Sequence, residues 1–170
     1  MGRWLYAIHC ILIFIVVFTI SGAFQFQLFL HEEPCPLCWL QRLGMLCVAV
    51  SAMLNLRLGY HTAHYSLMLF SALFGASVAV RQTFLHICPG SPTFGTPVLG
   101  LSLYVWSFLL FVGVVVFVLV ALLFHDREQP LEKVEGWWGR LAMIALGIMV
   151  FANLFDVFAR CELGPCEDVP

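Results

Sequence analysis

The sequence predicts an all-α membrane protein: a four-helix transmembrane bundle followed by a fifth, C-terminal transmembrane helix. Three observations predict it. Of the 170 residues, 62% are hydrophobic and 11% charged, against about 45–50% and about 25% in an ordinary soluble domain, and the mean hydropathy is +0.96. A soluble fold of this size has no interior large enough to hide so much apolar surface. The apolar residues also fall into five stretches, each near the roughly 17–25 residues of helix that cross a hydrocarbon core of about 30 Å. None of the five alternates apolar and polar residues as a barrel strand does, which leaves helices as the form that pairs every backbone group within lipid.

The first stretch runs from Trp4 to about Leu30, the second from about Trp39 to Leu56 and the third from about Tyr65 to Ile87. The fourth spans about Val98 to Phe124 and the fifth about Trp137 to Phe158. With their connections they form one membrane domain over residues 1–170, without internal repeats or low-complexity tracts. The net charge of −2 offers no basic footprint for nucleic acid, so membrane lipid is the expected surrounding. Arg3 and the small-residue cluster Ser21-Gly22-Ala23 are features of a signal peptide. The apolar run between them is longer than a signal core of about 7–15 residues, so it is taken as a retained span.

Lysine and arginine placement orients the bundle. With the N-terminus inside, the inner side holds Arg3, Arg57, Arg127, Lys133 and Arg140, although the last connection also carries Asp126, Glu128, Glu132 and Glu135. The outer side holds Arg160, while Arg42 and Arg81 lie within helices near their outer ends. Five spans then put the C-terminus outside. Cysteines give an independent check. Cys10 and Cys47 fall inside apolar helices, where cysteine behaves as a small buried hydrophobe. Cys35, Cys38, Cys88, Cys161 and Cys166 all land on the outer face, the oxidising side where disulfides persist.

The first outer loop reads Leu30-His31-Glu32-Glu33-Pro34-Cys35-Pro36-Leu37-Cys38, and the second helix follows at once. Pro36 suits a first helical turn, where its missing N–H has no intrahelical partner to lose. Cys38 is thereby expected among the exposed N–H groups of a helix N-terminus, where a thiolate is stabilised and a Cys-x-x-Cys pair is reactive. Arg42, four residues later, lies one turn deeper on the same face, as a permanent cation beside the sulfur. Three plainer readings compete: half of a zinc site, an inert structural disulfide, or a chance motif in a transporter or channel. A structural zinc site needs about four ligands, and the His-x-x-His formed by His61 and His64 is expected on the opposite side of the membrane. The redox reading is favoured, with no metal.

At these residues the sequence resembles the DsbB family, the bacterial inner-membrane quinone reductases that reoxidise a periplasmic thioredoxin-fold disulfide donor. The resemblance rests on four membrane helices, Pro34-Cys35-Pro36-Leu37-Cys38 opening the second, Arg42 four residues on, Gln27 eight residues before Cys35, and Arg81 within Ala79-Val80-Arg81-Gln82 of the third helix. It covers roughly residues 5–124. The resemblance implies a membrane thiol:quinone oxidoreductase at the bacterial inner membrane, using ubiquinone or menaquinone, with a DsbA-like partner. It makes Cys38 the quinone-facing cysteine and Cys35 the one that exchanges with a second pair, and it assigns Arg42, Gln27 and Arg81 to the quinone.

One departure stands out. Family members typically carry a second cysteine pair in the outer loop between the third and fourth helices, and here that loop, about Cys88 to Gly100, holds Cys88 alone. The fifth helix instead delivers Cys161-Glu162-Leu163-Gly164-Pro165-Cys166 to the same face. Either Cys88 bridges to a tail cysteine, or Cys161 pairs with Cys166 and Cys88 is left free. A shuttle built from Cys88 and the tail is favoured, because exchange between dithiols needs a second pair within reach. Rival functions are a thiol reductase similar to the vitamin K epoxide reductase group, and a non-catalytic membrane subunit whose cysteines staple outer loops.

Other polar residues carry weaker expectations. His31 and His86 lie near the outer surface, where histidine is a possible proton relay but more often simply solvated. Asp156, with Asn153, lies near the outer end of the fifth helix. An intramembrane carboxylate is a functional candidate by default, but this one is close enough to the interface to be solvated or paired with Arg160. Trp39, Phe24 and Phe26 are expected to anchor or pack, with a quinone pocket as the alternative.

Overall fold

Lipid offers no hydrogen bonds, so each spanning segment must satisfy its own backbone, and five long helices do so here. The structure is a computed structural model and describes residues 2–29, 35–86, 97–123 and 136–161. In chain order the helices are α1 (Gly2–Phe29), α2 (Pro36–Leu58), α3 (Thr62–His86), α4 (Leu103–Leu123) and α5 (Trp137–Cys161). All five are long and apolar enough to cross a membrane. The described residues contain no sheet, and the chain is a multi-pass membrane protein with five candidate spans. His31, Cys88 and Cys166 lie outside the described residues.

Helix α2 sits at the centre, touching all four others, with α1 and α5 paired on one side of it and α3 and α4 paired on the other. The outward faces are apolar: Phe18 is 81% exposed, Phe70 and Phe151 each 72%. Such faces are unfavourable in water and ordinary in hydrocarbon. Hydroxyl groups on the helices turn back onto their own backbone, Ser21 to Val17 O, Ser51 to Cys47 O and Ser107 to Leu103 O, which keeps them satisfied in lipid.

Close approach of α2 to α3 depends on two glycines. A Cβ on Gly44 would lie 3.1 Å from Gly75 Cα. The ring of Phe111 from α4, itself fully buried, lies over the same spot and occupies the space a Cβ on Gly75 would need. On the other side, α1 and α5 run parallel in a register set by three contacts. Gly139 N–H donates to the Tyr6 hydroxyl (2.7 Å), Ser21 Oγ meets Met149 Sδ (3.9 Å), and Gln27 Nε2 donates to Asp156 Oδ1 (2.6 Å).

A buried polar knot closes the end of the bundle opposite the cysteines. His9, fully buried, places Nδ1 2.7 Å from Leu5 O and Nε2 3.1 Å from Asn55 Nδ2. A carbonyl only accepts and an amide nitrogen only donates, so His9 is the neutral ring protonated at Nδ1. Asn55 Oδ1 in turn lies 3.1 Å from His64 Nδ1. Here α1, α2 and the start of α3 are tied at one point.

The helix limits differ from the sequence expectation by three residues or more at four places, one being the start of α3 at Thr62 rather than Tyr65. Helix α2 starts at Pro36, not Trp39, because Cys35 already caps it. Helix α4 starts at Leu103, not Val98, because Val98 and Leu101 exchange two backbone hydrogen bonds (2.9 and 3.1 Å) across a tight turn. Both central residues of that turn have positive φ, Leu99 at 53° and Gly100 at 81°, a conformation that a helix cannot include. Helix α5 continues past Phe158 to Cys161.

Substituting Gly75 by Val should force α3 away from α4 and cost about 1–3 kcal/mol of stability, as overpacking does. Thermal unfolding in detergent reads this as a lowered midpoint. Gly113→Ala, where a Cβ meets nothing within 4 Å, should leave the midpoint unchanged or slightly raised, since alanine is the better helix former.

Candidate active site

The site forms where α2 begins. Cys35 is the N-cap residue, in extended conformation (φ −70°, ψ 158°), and Pro36 takes the first helical position. Cys38 N–H donates to Cys35 O (2.9 Å) and also to Cys35 Sγ (3.2 Å). The sulfur thus does the capping that a Ser or Asp oxygen usually does. This cap turns the two side chains together: the sulfurs are 2.7 Å apart, as free cysteines. A disulfide bond is about 2.05 Å long, so the pair can close or open with little backbone movement. Hydrogen-bond sharing with Cys38, and then burial, push the Cys35 thiol well above the ordinary cysteine value. Cys35 keeps its proton, and the sulfur it faces is that of Cys38.

Helix α3 contributes an amide to the pair. Gln82, almost fully buried, directs Nε2 to Cys35 Sγ (3.4 Å) and Cys38 Sγ (3.5 Å). Its Oε1 accepts from Gln41 Nε2 on α2 at 2.5 Å. With the oxygen engaged, only the NH₂ end can face the sulfurs, so Gln41 fixes the orientation in which Gln82 donates to them. Sequence reasoning missed both glutamines. The available signal was a pair of uncharged polar residues in otherwise apolar spans, one of them beside the Arg81 that was singled out.

One turn deeper, Arg42 is 6% exposed. Its guanidinium lies 4.7 Å above the centre of the Phe24 ring, a cation–π distance. Nη1 donates to Gln27 Oε1 (3.1 Å) and lies 3.7 Å from Asp156 Oδ2. Gln27 donates through Nε2 to Asp156 Oδ1 (2.6 Å), and Trp39 Nε1 donates to Asp156 Oδ2 (3.2 Å). Asp156 was expected to be solvated or paired with Arg160. Its side chain is 12% exposed, so it is not simply solvated, and it meets Arg42, Gln27 and Trp39, which offer it a cation and two donors away from lipid. The side chain of Arg160 lies outside the described residues.

Of the residues singled out in the sequence, Cys35, Cys38, Arg42 and Gln27 are brought together. Arg81 is exposed, about 100° around α3 from Gln82, and faces away from the pair. Cys161 ends α5 at the same end of the bundle as Cys35, while Cys88 and Cys166 lie outside the described residues. His86 sits on the α3 face toward α4, with Nδ1 2.8 Å from Gln82 O and its ring stacked on Tyr104. His61 and His64 follow the far end of α2, whose 23 residues span about 34 Å, so they are out of reach of the cysteines.

Fold and site together define a multi-pass membrane protein that holds a dithiol at the mouth of its helix bundle, directly above a buried Arg–Asp pair. Comparison with known proteins gives the family. The family model for disulfide bond formation protein DsbB matches residues 5–95. Similar curated proteins include disulfide bond formation protein B of Chromobacterium violaceum, 38% identical over 86 residues, covering 44% of this chain and 50% of that protein. Disulfide bond formation protein B 1 of Pseudomonas syringae pv. syringae is 32% identical over 144 residues, covering 65% of this chain and 85% of that one. Disulfide bond formation protein B of Marinobacter nauticus is 36% identical over 93 residues, 52% of this chain and 53% of that one. The match thus spans about half the length of the first and third relatives and most of the second. No solved structure matches the chain. The chain belongs to the DsbB family of disulfide bond formation proteins.

Two outcomes test the site. In the reduced protein, alkylation of Cys35 by iodoacetamide should be slow at pH 7 and still accelerating above pH 9, the ordinary value from which Cys35 is raised. Cys38→Ala, which removes the sulfur sharing the proton, should speed it several-fold, as peptide mass spectrometry would read. Gln82→Leu removes a donor from both sulfurs. It should shift the glutathione equilibrium of the pair toward the disulfide by about 3–10-fold, given that a hydrogen bond to a charged group contributes about 1.5–3 kcal/mol at good geometry and less at these longer distances.

Proposed function

We propose that the protein is a thiol:quinone oxidoreductase of the bacterial inner membrane, which reoxidises a periplasmic thioredoxin-fold disulfide donor and passes two electrons to a membrane quinone. The observation that carries this reading is the stacking of two functions in one turn of α2. The Cys35–Cys38 pair lies at the helix mouth, and Arg42 lies just beneath it against α1. The proposed orientation puts the cysteine end outside, following the basic residues of the connections.

The residues suit a quinone. Arg42 and Gln27 present a guanidinium and a carboxamide to a carbonyl oxygen, and the Phe24 ring provides an aromatic wall beside them. When bound, the quinone takes up two electrons and two protons as quinol. The chain's own part is to place the Cys38 sulfur one turn above Arg42 and to keep the hydrogen of Cys35 within reach of that sulfur. Arg81, at the same end of α3, is proposed as an outlying quinone contact from the lipid side.

Reducing equivalents enter by exchange. A thiolate of the partner attacks a disulfide in the set Cys88, Cys161 and Cys166, forming a mixed disulfide that its second thiol resolves. The resulting dithiol attacks at Cys35, releasing Cys38, and Cys35 and Cys38 end as thiols. Each exchange conserves one disulfide and two thiols. Closing Cys35–Cys38 again releases two electrons and two protons to the quinone.

Cys35→Ser and Cys38→Ser should each abolish turnover of reduced partner with quinone. Arg42→Ala should weaken the apparent quinone affinity in stopped-flow reduction while leaving thiol exchange with the soluble partner largely intact, and unchanged affinity would remove Arg42 from the site. Single serine substitutions of Cys88, Cys161 and Cys166 test the entry set, because normal reoxidation of the partner by all three would rule it out.

A further inference from the structure

The fifth helix brings two polar side chains, Asp156 and Asn153, one turn apart on the same face. Asp156 meets α1 through Gln27 and α2 through Arg42 and Trp39. Gln27 therefore lies between an acid and a base. A carboxylate only accepts and a guanidinium only donates, so one orientation of the carboxamide serves both: Nε2 toward Asp156 and Oε1 toward Arg42. Without the carboxylate, Gln27 loses the group that decides which way its amide turns, and Arg42 loses an anion 3.7 Å away.

We propose that Asp156 is a positioning residue of the quinone-side site, holding the Arg42 guanidinium and the Gln27 carboxamide in the orientation that receives a quinone carbonyl oxygen. The proposal rests on the reading of Arg42 and Gln27 given above, and it makes the fifth helix part of the reaction centre. A second observation on the same face points to a ligand. Asn153 is 6% exposed, and its Oδ1 is buried without a hydrogen-bond partner among the described residues. A buried acceptor without a donor is unfavourable, and the hydroxyl hydrogen of a quinol supplies one.

Asp156 also acts on the dithiol through Arg42. Its negative charge offsets part of the field that the guanidinium exerts at Cys38, one turn away. Removing that charge leaves the cation less compensated and favours the reduced pair.

The test uses the full chain in lipid nanodiscs, reduced beforehand and mixed in a stopped-flow instrument with a short-chain ubiquinone analogue. Asp156→Asn should weaken the apparent quinone affinity about tenfold while changing the limiting rate much less, the pattern of lost binding rather than lost chemistry. Asp156→Glu should restore most of the affinity. In an Arg42→Gln background, Asp156→Asn should cost much less than tenfold, since only the part of its role that acts through Gln27 remains. This double variant strands no charge, so it remains available where the single Asn variant does not fold. A further tenfold loss of affinity in that background overturns the proposal. Equilibration of the Cys35–Cys38 pair with glutathione needs no quinone: Asp156→Asn should move it about threefold or more toward the reduced form. Unchanged quinone affinity in Asp156→Asn also overturns the proposal, and an unchanged glutathione equilibrium overturns the effect of Asp156 on the dithiol. If the native chain reduces no quinone, the oxidoreductase reading fails, and the glutathione measurement still decides whether Asp156 acts on the pair.

Discussion

Helix α2 carries Gln41, Arg42, Ser51 and Asn55 into the interior of a bundle surrounded by lipid. A polar group there has no water to fall back on and must find its partner within the protein. The partners come from the flanking helices: Gln82 of α3 for Gln41, Gln27 of α1 and Asp156 of α5 for Arg42, His9 of α1 and His64 of α3 for Asn55. Apolar side chains alone would let helices rotate or slide against one another in a solvent as apolar as they are. The polar contacts along α2 select one rotation and one register, and the position of the dithiol follows from them.

The same contacts divide the labour around the cysteines. From the α3 side, the Gln41–Gln82 pair presents an amide donor to both sulfurs. From the α1 and α5 side, Arg42 is held beneath them by groups that satisfy it without covering the sulfurs. The cation is buried and paired, a costly arrangement if only stability mattered, and on the proposed function its position beside the dithiol is what it is kept for. The histidine–asparagine knot at the opposite end contains no sulfur and no acid, and its geometry is that of a structural tie.

Membership of the DsbB family joins the matched region, residues 5–95, to a fifth helix that lies beyond it. This helix packs along α1 and reaches α2, so it is integrated with the matched helices. It brings both an acid to Arg42 and Cys161 to the cysteine end of the bundle. On the proposed reading, this one helix serves both the intake of reducing equivalents and the site that passes them on.

By itself, the sequence determined five spans, the fitness of Pro36 for a first helical turn, and the placement of Arg42 one turn below Cys38. These follow from local rules, namely apolar run length, the geometry of a first helical turn and the pitch of a helix, and each needs only neighbouring residues. The recognition of Gln27 needed a resemblance as well, because nothing local distinguishes it from Gln25. Only the tertiary structure decided that Gln82 and not Arg81 faces the sulfurs, since a rotation of α3 by one residue exchanges them and its weakly patterned surface leaves that rotation open. It also decided that Asp156, 114 positions after Arg42 in the chain, turns inward to meet it. The long-range pairing of a buried acid with a buried base depends on how α1, α2 and α5 pack, and no local pattern encodes that packing.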